Sequence, residues 1–181
     1  MIDAAIAEVI TYALGGNQNA QYAPAAYECL QREATKQQVS VLLAVSVMRQ
    51  ERGAVGTQSK NTDRSFDLGP MQVNTIHIED LERVTNIPAR EVFQALKYDP
   101  CANIATGLWL LRRSINRSGD LWKGVAQYHS RTPSKGHPYA WNVYNKMNAI
   151  VRQMNPEAIQ KVLLPGGILA VTYPQNYAGI R

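Results

Sequence analysis

Val39 to Met48 reads VSVLLAVSVM, ten residues without a charge. A membrane span needs about 20 apolar residues, so this run is too short to cross a bilayer. Val39, Leu42 and Leu43 recur at three- and four-residue steps, and so do Ala44, Val47 and Met48. That spacing predicts a helix over Val39–Glu51 that is apolar on both faces, hence the central buried helix of an α-rich domain. The run ends at Glu51, flanked by Arg49 and Arg52 and followed by Gly53 and Gly56. Glu51 lies three, four and seven residues after Met48, Val47 and Ala44, so it shares their face. Two readings stay open. One is a helix-end ion pair with Arg49 or Arg52. The other is a carboxyl group against an apolar wall, where burial disfavours the charged form and keeps a general acid protonated near neutral pH.

The remaining pattern is mostly helical. Residues 3–14 form a short helix stopped by Gly15-Gly16, and 17–24 form a polar linker. Pro24 to about Gln37 is helical along Ala26, Leu30 and Ala34. Residues 52–70 carry glycines, Asp63, Asp67 and Pro70 and read as a long loop or short β-hairpin, the kind of segment that carries function. Helices are expected over 74–85, over 87–96 with Pro88 in its first turn, and from Asp99-Pro100, cap and first position, along Ile104, Leu108, Leu111 and Ile115. Ser118-Gly119-Asp120 ends that one, and Asp120 caps the next. A further helix is expected over 138–154, another over 156–164, and a strand or docked arm in the tail. This divides the chain into an N-terminal helix and linker (1–24), a main domain (25–154), and a C-terminal helix and tail (155–181). There is no internal repeat.

Nineteen Lys and Arg against fourteen Asp and Glu give +5, which favours an anionic partner such as nucleic acid, membrane headgroups or cell wall. No block of five like charges marks a nucleic-acid arm, and Lys36, Lys60, Arg64 and Lys135 read as solvated surface. His77, His129 and His137 are too scattered for a metal site, and Walker A, GxGxxG and GxSxG motifs are absent. A two-carboxylate glycosidase needs a second acid opposite Glu51, for which Asp63 and Asp67 are candidates. Trp109 and Trp122 read as core. Tyr128 stands at a helix end, where a phenol can bond a carboxyl group or a substrate. The start MIDAAIAEVITYALGG holds Asp3 and Glu8 and lacks a basic leading region, so it does not read as a signal peptide. Cys29 and Cys101 are left open as free thiols or a bridge.

Taken in order, Glu51, then Asp67-Leu68-Gly69-Pro70-Met71-Gln72-Val73-Asn74, then Asp99-Pro100-Cys101-Ala102-Asn103-Ile104, then Tyr128-His129-Ser130 resemble the family 1 (SLT-type) lytic transglycosylases. The resemblance covers about residues 25–150 and is nearest to the small secretion- and conjugation-associated members. It implies a mainly α, goose-type-lysozyme-like fold and cleavage of the MurNAc–GlcNAc bond of peptidoglycan to 1,6-anhydro ends. Glu51 matches the single catalytic acid/base. Gly69, Met71 and Gln72 match a signature lining the sugar cleft, Tyr128 the tyrosine that reaches the glutamate, and Tyr139 a later cleft tyrosine. With Asp67 and His129 these make the expected substrate-binding set. The resemblance further implies a Cys29–Cys101 disulfide, a periplasmic or otherwise extracytoplasmic location, no metal or cofactor, no nucleic-acid partner, and glycan strands as partner, together with a secretion, conjugation or pilus machine. Arg52, Pro70 and His129 depart from the usual Ser, Leu and Asn. The alternatives are a goose-type-like muramidase and a catalytically weak wall-binding assembly protein.

Overall fold

A computed structural model of the protein describes residues 2–154 with Pro156, Glu157 and Ile159. The expected helix over 156–164 and the tail fall largely outside the described residues.

Most of the helices start where a side chain caps the first orphan N–H groups or where a proline, which lacks one, takes the first turn. Helix α1 (Ala4–Ala13) is capped by Asp3, which accepts from the Ala5 N–H at 2.9 Å. The polar stretch after it is a 3-10 segment (Asn17–Tyr22) rather than an open linker, and it leads into α2 (Ala23–Lys36). Helix α3 (Val41–Glu51) begins two residues later than the apolar pattern does, because the Ser40 hydroxyl accepts from the Leu43 N–H at 3.1 Å. Every residue from Val41 to Met48 is buried, and α3 packs against α1, α2 and the last long helix. Each fully buried Leu or Val contributes about 1.5–3 kcal/mol, so α3 anchors the core.

The long segment after α3 is a three-stranded antiparallel sheet: β1 (Gln58–Lys60), β2 (Phe66–Leu68) and β3 (Val73–Asn74), in that order. Ser59 pairs with Asp67, and Leu68 with Val73. The expected helix at 74 starts later. Asn74 caps a 3-10 turn (Thr75–His77), and α4 (Ile78–Thr85) follows. Helix α5 (Ala89–Tyr98) comes next. Asp99 then caps α6 (Pro100–Ser118), accepting from the Cys101 and Ala102 N–H groups at 2.8 and 3.1 Å. Helix α7 (Leu121–His129) is capped by Asp120 as expected.

Helix α8 runs over Pro133–Gln153, five residues longer at its start than the expected 138. Pro133 takes the first turn, and Pro138 sits inside the helix, near its start. Gly136 makes the α7–α8 corner tight, since a Cβ there would come within 2.6 Å of the Ser130 carbonyl. Among the described residues no helix is long and apolar enough to cross a membrane. The fold is mainly α, as expected.

Cys29 on α2 and Cys101 on α6 form a disulfide, with Cα atoms 5.8 Å apart and a sequence separation of 72. Closing a loop of that length restricts the unfolded chain by about 4 kcal/mol. The Cys29→Ala/Cys101→Ala variant is therefore expected to lose about 4 kcal/mol in urea unfolding, with an unchanged native circular dichroism spectrum.

Candidate active site

Helix α3 ends at Glu51 because Arg52 turns into the left-handed region, φ 56°, while its N–H still bonds the Met48 carbonyl at 3.1 Å. Helix α1 braces this exit. The Tyr12 hydroxyl donates to the Arg52 carbonyl at 3.2 Å, and the Val55 N–H to the Ala13 carbonyl at 2.8 Å. Gly53 follows where a side chain has no room, since a Cβ would overlap the Gly69 carbonyl and the Gln72 amide. Arg52 itself is exposed and does not line the cleft. No ion pair reaches Glu51 among the described residues, so the helix-end pair with Arg49 or Arg52 does not form.

Glu51 opens instead onto a cleft of about 670 Å³, shared with Asp67, Gln72, Tyr128 and His129. The Tyr139 hydroxyl donates to Glu51 Oε1. Burial raises the Glu51 pKa from 4.5 to about 7; the Tyr139 hydrogen bond opposes this and the Asp67 charge adds to it. Asp67 pairs with Asn74 across β2 and β3 and accepts from its side-chain amide at 2.8 Å. Asp63, the other candidate second acid, stands at the cleft edge and is occupied by its own turn. It accepts from the Ser65 hydroxyl and N–H, and those bonds lower its pKa.

The two tyrosines exchange their expected places. Tyr139, not Tyr128, bonds Glu51, and Tyr139 is buried behind the carboxyl. Tyr128 donates to the Met71 carbonyl at 2.9 Å and lines the cleft. Burial, with the Glu51 charge next, raises both phenols well above the usual tyrosine range, so each stays a donor. His129 lies flat against Tyr139, ring centres 4.6 Å apart at 4°, and burial lowers its pKa.

Gly69 and Met71, expected in the substrate-binding set, are not among the residues that line the cleft. Met71 is fully buried against Gly107, and Gly69, φ 66°, leaves room for a polar residue the sequence reading did not single out as functional. That residue is Asn103, 0% exposed. Its amide donates to the Leu68 and Leu96 carbonyls at 2.7 and 2.8 Å and accepts from the Met71 N–H at 2.7 Å. One side chain thus ties β2, α5 and the turn carrying Gln72. The available signal was an Asn beside Ile104 on an otherwise apolar helix face.

A mainly α fold, with a carboxyl group held at the end of its central helix in an open cleft over a small sheet, defines a lysozyme-like class. The family model of the transglycosylase SLT domain matches residues 28–148, and the chain belongs to that family. It is similar to the Invasion protein IagB of Salmonella typhimurium, 30% identical over 105 residues, 54% of this chain and 61% of that one. The Invasion protein IagB of Salmonella typhi is 30% identical over 118 residues, 61% of this chain and 66% of that one. A Peptidoglycan-binding-like protein of Escherichia coli O157:H7 is 26% identical over 126 residues, 67% of this chain and 74% of that one. The chain spans 61–66% of the length of these invasion proteins.

The Glu51 pKa sets a sign for stability. A folded value of about 7 above an ordinary 4.5 means that the folded protein holds a proton the unfolded chain releases. The stability from that proton is complete below about pH 4.5 and is lost as pH rises through about 7. Glu51→Gln is expected to raise the melting temperature at pH 8 and to leave it nearly unchanged at pH 4, read by thermal unfolding at both values.

Proposed function

We propose that the protein is a peptidoglycan lytic transglycosylase with Glu51 as its acid and base. The observation that carries this reading is a cleft carboxyl group whose pKa is raised to about 7 by burial, with a neutral phenol as its hydrogen-bond partner. One glutamate oxygen is occupied by Tyr139, which leaves the other to face the cleft.

Protonated Glu51 gives its proton to the glycosidic oxygen between MurNAc and GlcNAc as that bond breaks. The substrate's own N-acetyl group stabilises the positive charge developing at C1, a substrate-assisted route that needs one protein carboxyl group rather than two. Glu51, now a carboxylate accepting from Tyr139, takes the proton of the MurNAc C6 hydroxyl. That oxygen attacks C1 and closes the 1,6-anhydro ring, so no water is consumed. Asp67, Gln72, Tyr128 and His129 bind the strand, while Gly69, Met71 and Tyr139 position the residues that do. The catalytic unit is residues 25–154, flanked by 1–24 and 155–181.

The place of action is extracytoplasmic. A disulfide favours an oxidising compartment, and the substrate lies there. Similarity to proteins named for invasion supports local wall opening for a secretion, conjugation or pilus machine, in the manner of the small conjugation-associated members.

Digestion of purified sacculi followed by mass analysis of the muropeptides tests the reading. Anhydro ends are expected, with turnover falling about 10²–10⁴-fold in Glu51→Gln. Reducing ends would make the protein a muramidase. Binding without turnover would make it an assembly protein, and full activity in Glu51→Gln would remove Glu51 from its role.

A further inference from the structure

The cleft is acidic around Glu51 and Asp67, but one of its walls is not. Leu110, Arg113, Ser114 and Arg117 recur on α6 at three- and four-residue steps, and all four line the cleft. His77 and Asp80 line it with them, from the 3-10 turn and α4. The Arg113 guanidinium carbon lies 5.2 Å over the Trp109 ring, and its Nη1 is 3.7 Å from Asp80 Oδ2. Stacking on one face and a carboxylate at one edge hold the planar fork in place and leave its other donors for a ligand. Asp80 also pairs with Arg83, at 3.1 Å, so it offsets Arg113 only in part. Arg117 has no ion-pair partner among the described residues.

His77 senses this field. Burial lowers its pKa most, Arg113 next, with Asp80 opposing and Arg117 adding a smaller push. Two guanidiniums against one shared carboxylate leave the wall positive.

The basic wall and the acid stand on different helices, α6 and α3. Neither guanidinium is among the groups that shift Glu51.

We propose that the α6 wall is a carboxylate-binding subsite, in which Arg113 engages an acidic group of the glycan strand through its fork and Arg117 supplies a second positive charge. This rests on the transglycosylase reading, since the strand lies in the same cleft. The carboxylate has two sources: the peptide stem, or the lactyl group of MurNAc that loss of the stem exposes.

The test uses the Glu51→Gln protein as parent, so that strands bind without being cut, and reads dissociation constants by calorimetry. Three soluble strand fragments are compared: stem-bearing, stem-stripped, and stem-bearing with the carboxylates amidated. Adding Arg113→Gln/Arg117→Gln is expected to weaken about tenfold the fragment that carries the bound carboxylate, the scale of a lost charged hydrogen bond at a partly exposed site. The amidated fragment is expected to bind parent and variant alike. A loss confined to the stem-bearing fragment assigns the stem; a loss confined to the stripped fragment assigns the lactyl group, which is an uncharged amide while the stem is attached; a loss in both shows that the wall takes either carboxylate.

Arg90→Gln/Arg152→Gln removes the same charge from exposed positions outside the cleft and is expected to stay within about twofold of the parent, since surface charge away from the ligand is largely screened. Unchanged affinity of the Arg113/Arg117 variant for both the stem-bearing and the stripped fragment overturns the proposal. So does a loss that survives amidation, an equal loss in the outside variant, or a parent that binds no fragment. Failure of the transglycosylase reading shows separately, as sacculi left uncut by the protein with Glu51 intact. Equal melting temperatures confirm that the variants fold.

Discussion

The hydrogen bond from Tyr139 to Glu51 joins the two longest-range parts of the design, the end of the central helix and the start of the last one. A carboxylate at that position has lost much of its water, so its charged form is disfavoured, and a single phenol returns only part of the loss. The compromise leaves an acid that is neutral or charged with little bias near pH 7. General acid–base work asks for such a group, since the same atom must release a proton and then take one back. Tyr139 reaches Glu51 because Gly136 lets α8 turn back tightly on α7, and because His129 stacks on the phenol ring.

The opposite side of the site depends on Asn103. Strands as short as β2 and β3 have little stability of their own, and the turn between them bears Gln72 at φ 47°. A buried amide with every bond filled holds such a turn rigidly, whereas a partly filled one would weaken it. Asn103 fills its bonds with Leu68, Leu96 and Met71, so it fixes the floor from which Asp67 and Gln72 face Glu51. The disulfide at Cys101 ties the first turn of the same helix to α2. Sheet, acid and tyrosines are thereby referenced to one frame of packed helices.

The helices were legible in the sequence because capping and three-to-four spacing are local: Asp99-Pro100, Asp120 and the run after Ser40 announce themselves. Boundaries slipped where a side chain or proline outranked the apolar pattern, as Ser40 did for α3 and Pro133 did for α8. The segment 52–70 showed its importance but not its sheet, since three-residue strands carry too little alternation to read. Glu51 could be singled out as one of two readings, and the choice between them needed three dimensions. Arg52 is left-handed at φ 56° and faces solvent, neither of which its position in the sequence shows. Tyr128 and Tyr139 lie eleven residues apart on different helices, so which one meets the acid is a matter of packing. Met71 and Gly69 belonged to the right motif yet serve the core. Arg113 and Arg117 passed unremarked beside the apolar stripe of Ile104, Leu108, Leu111 and Ile115, because the sequence does not say that the other face of α6 meets a cleft.

The central claim is that burial, relieved by one phenol, holds Glu51 as an acid poised near neutral pH. Carbon-13 NMR titration of the glutamate carboxyl signals, with Glu51 assigned by its absence in Glu51→Gln, measures this directly. The account predicts that the Glu51 resonance titrates at about 7. A Glu51 carboxyl titrating at the ordinary 4.5 would contradict it.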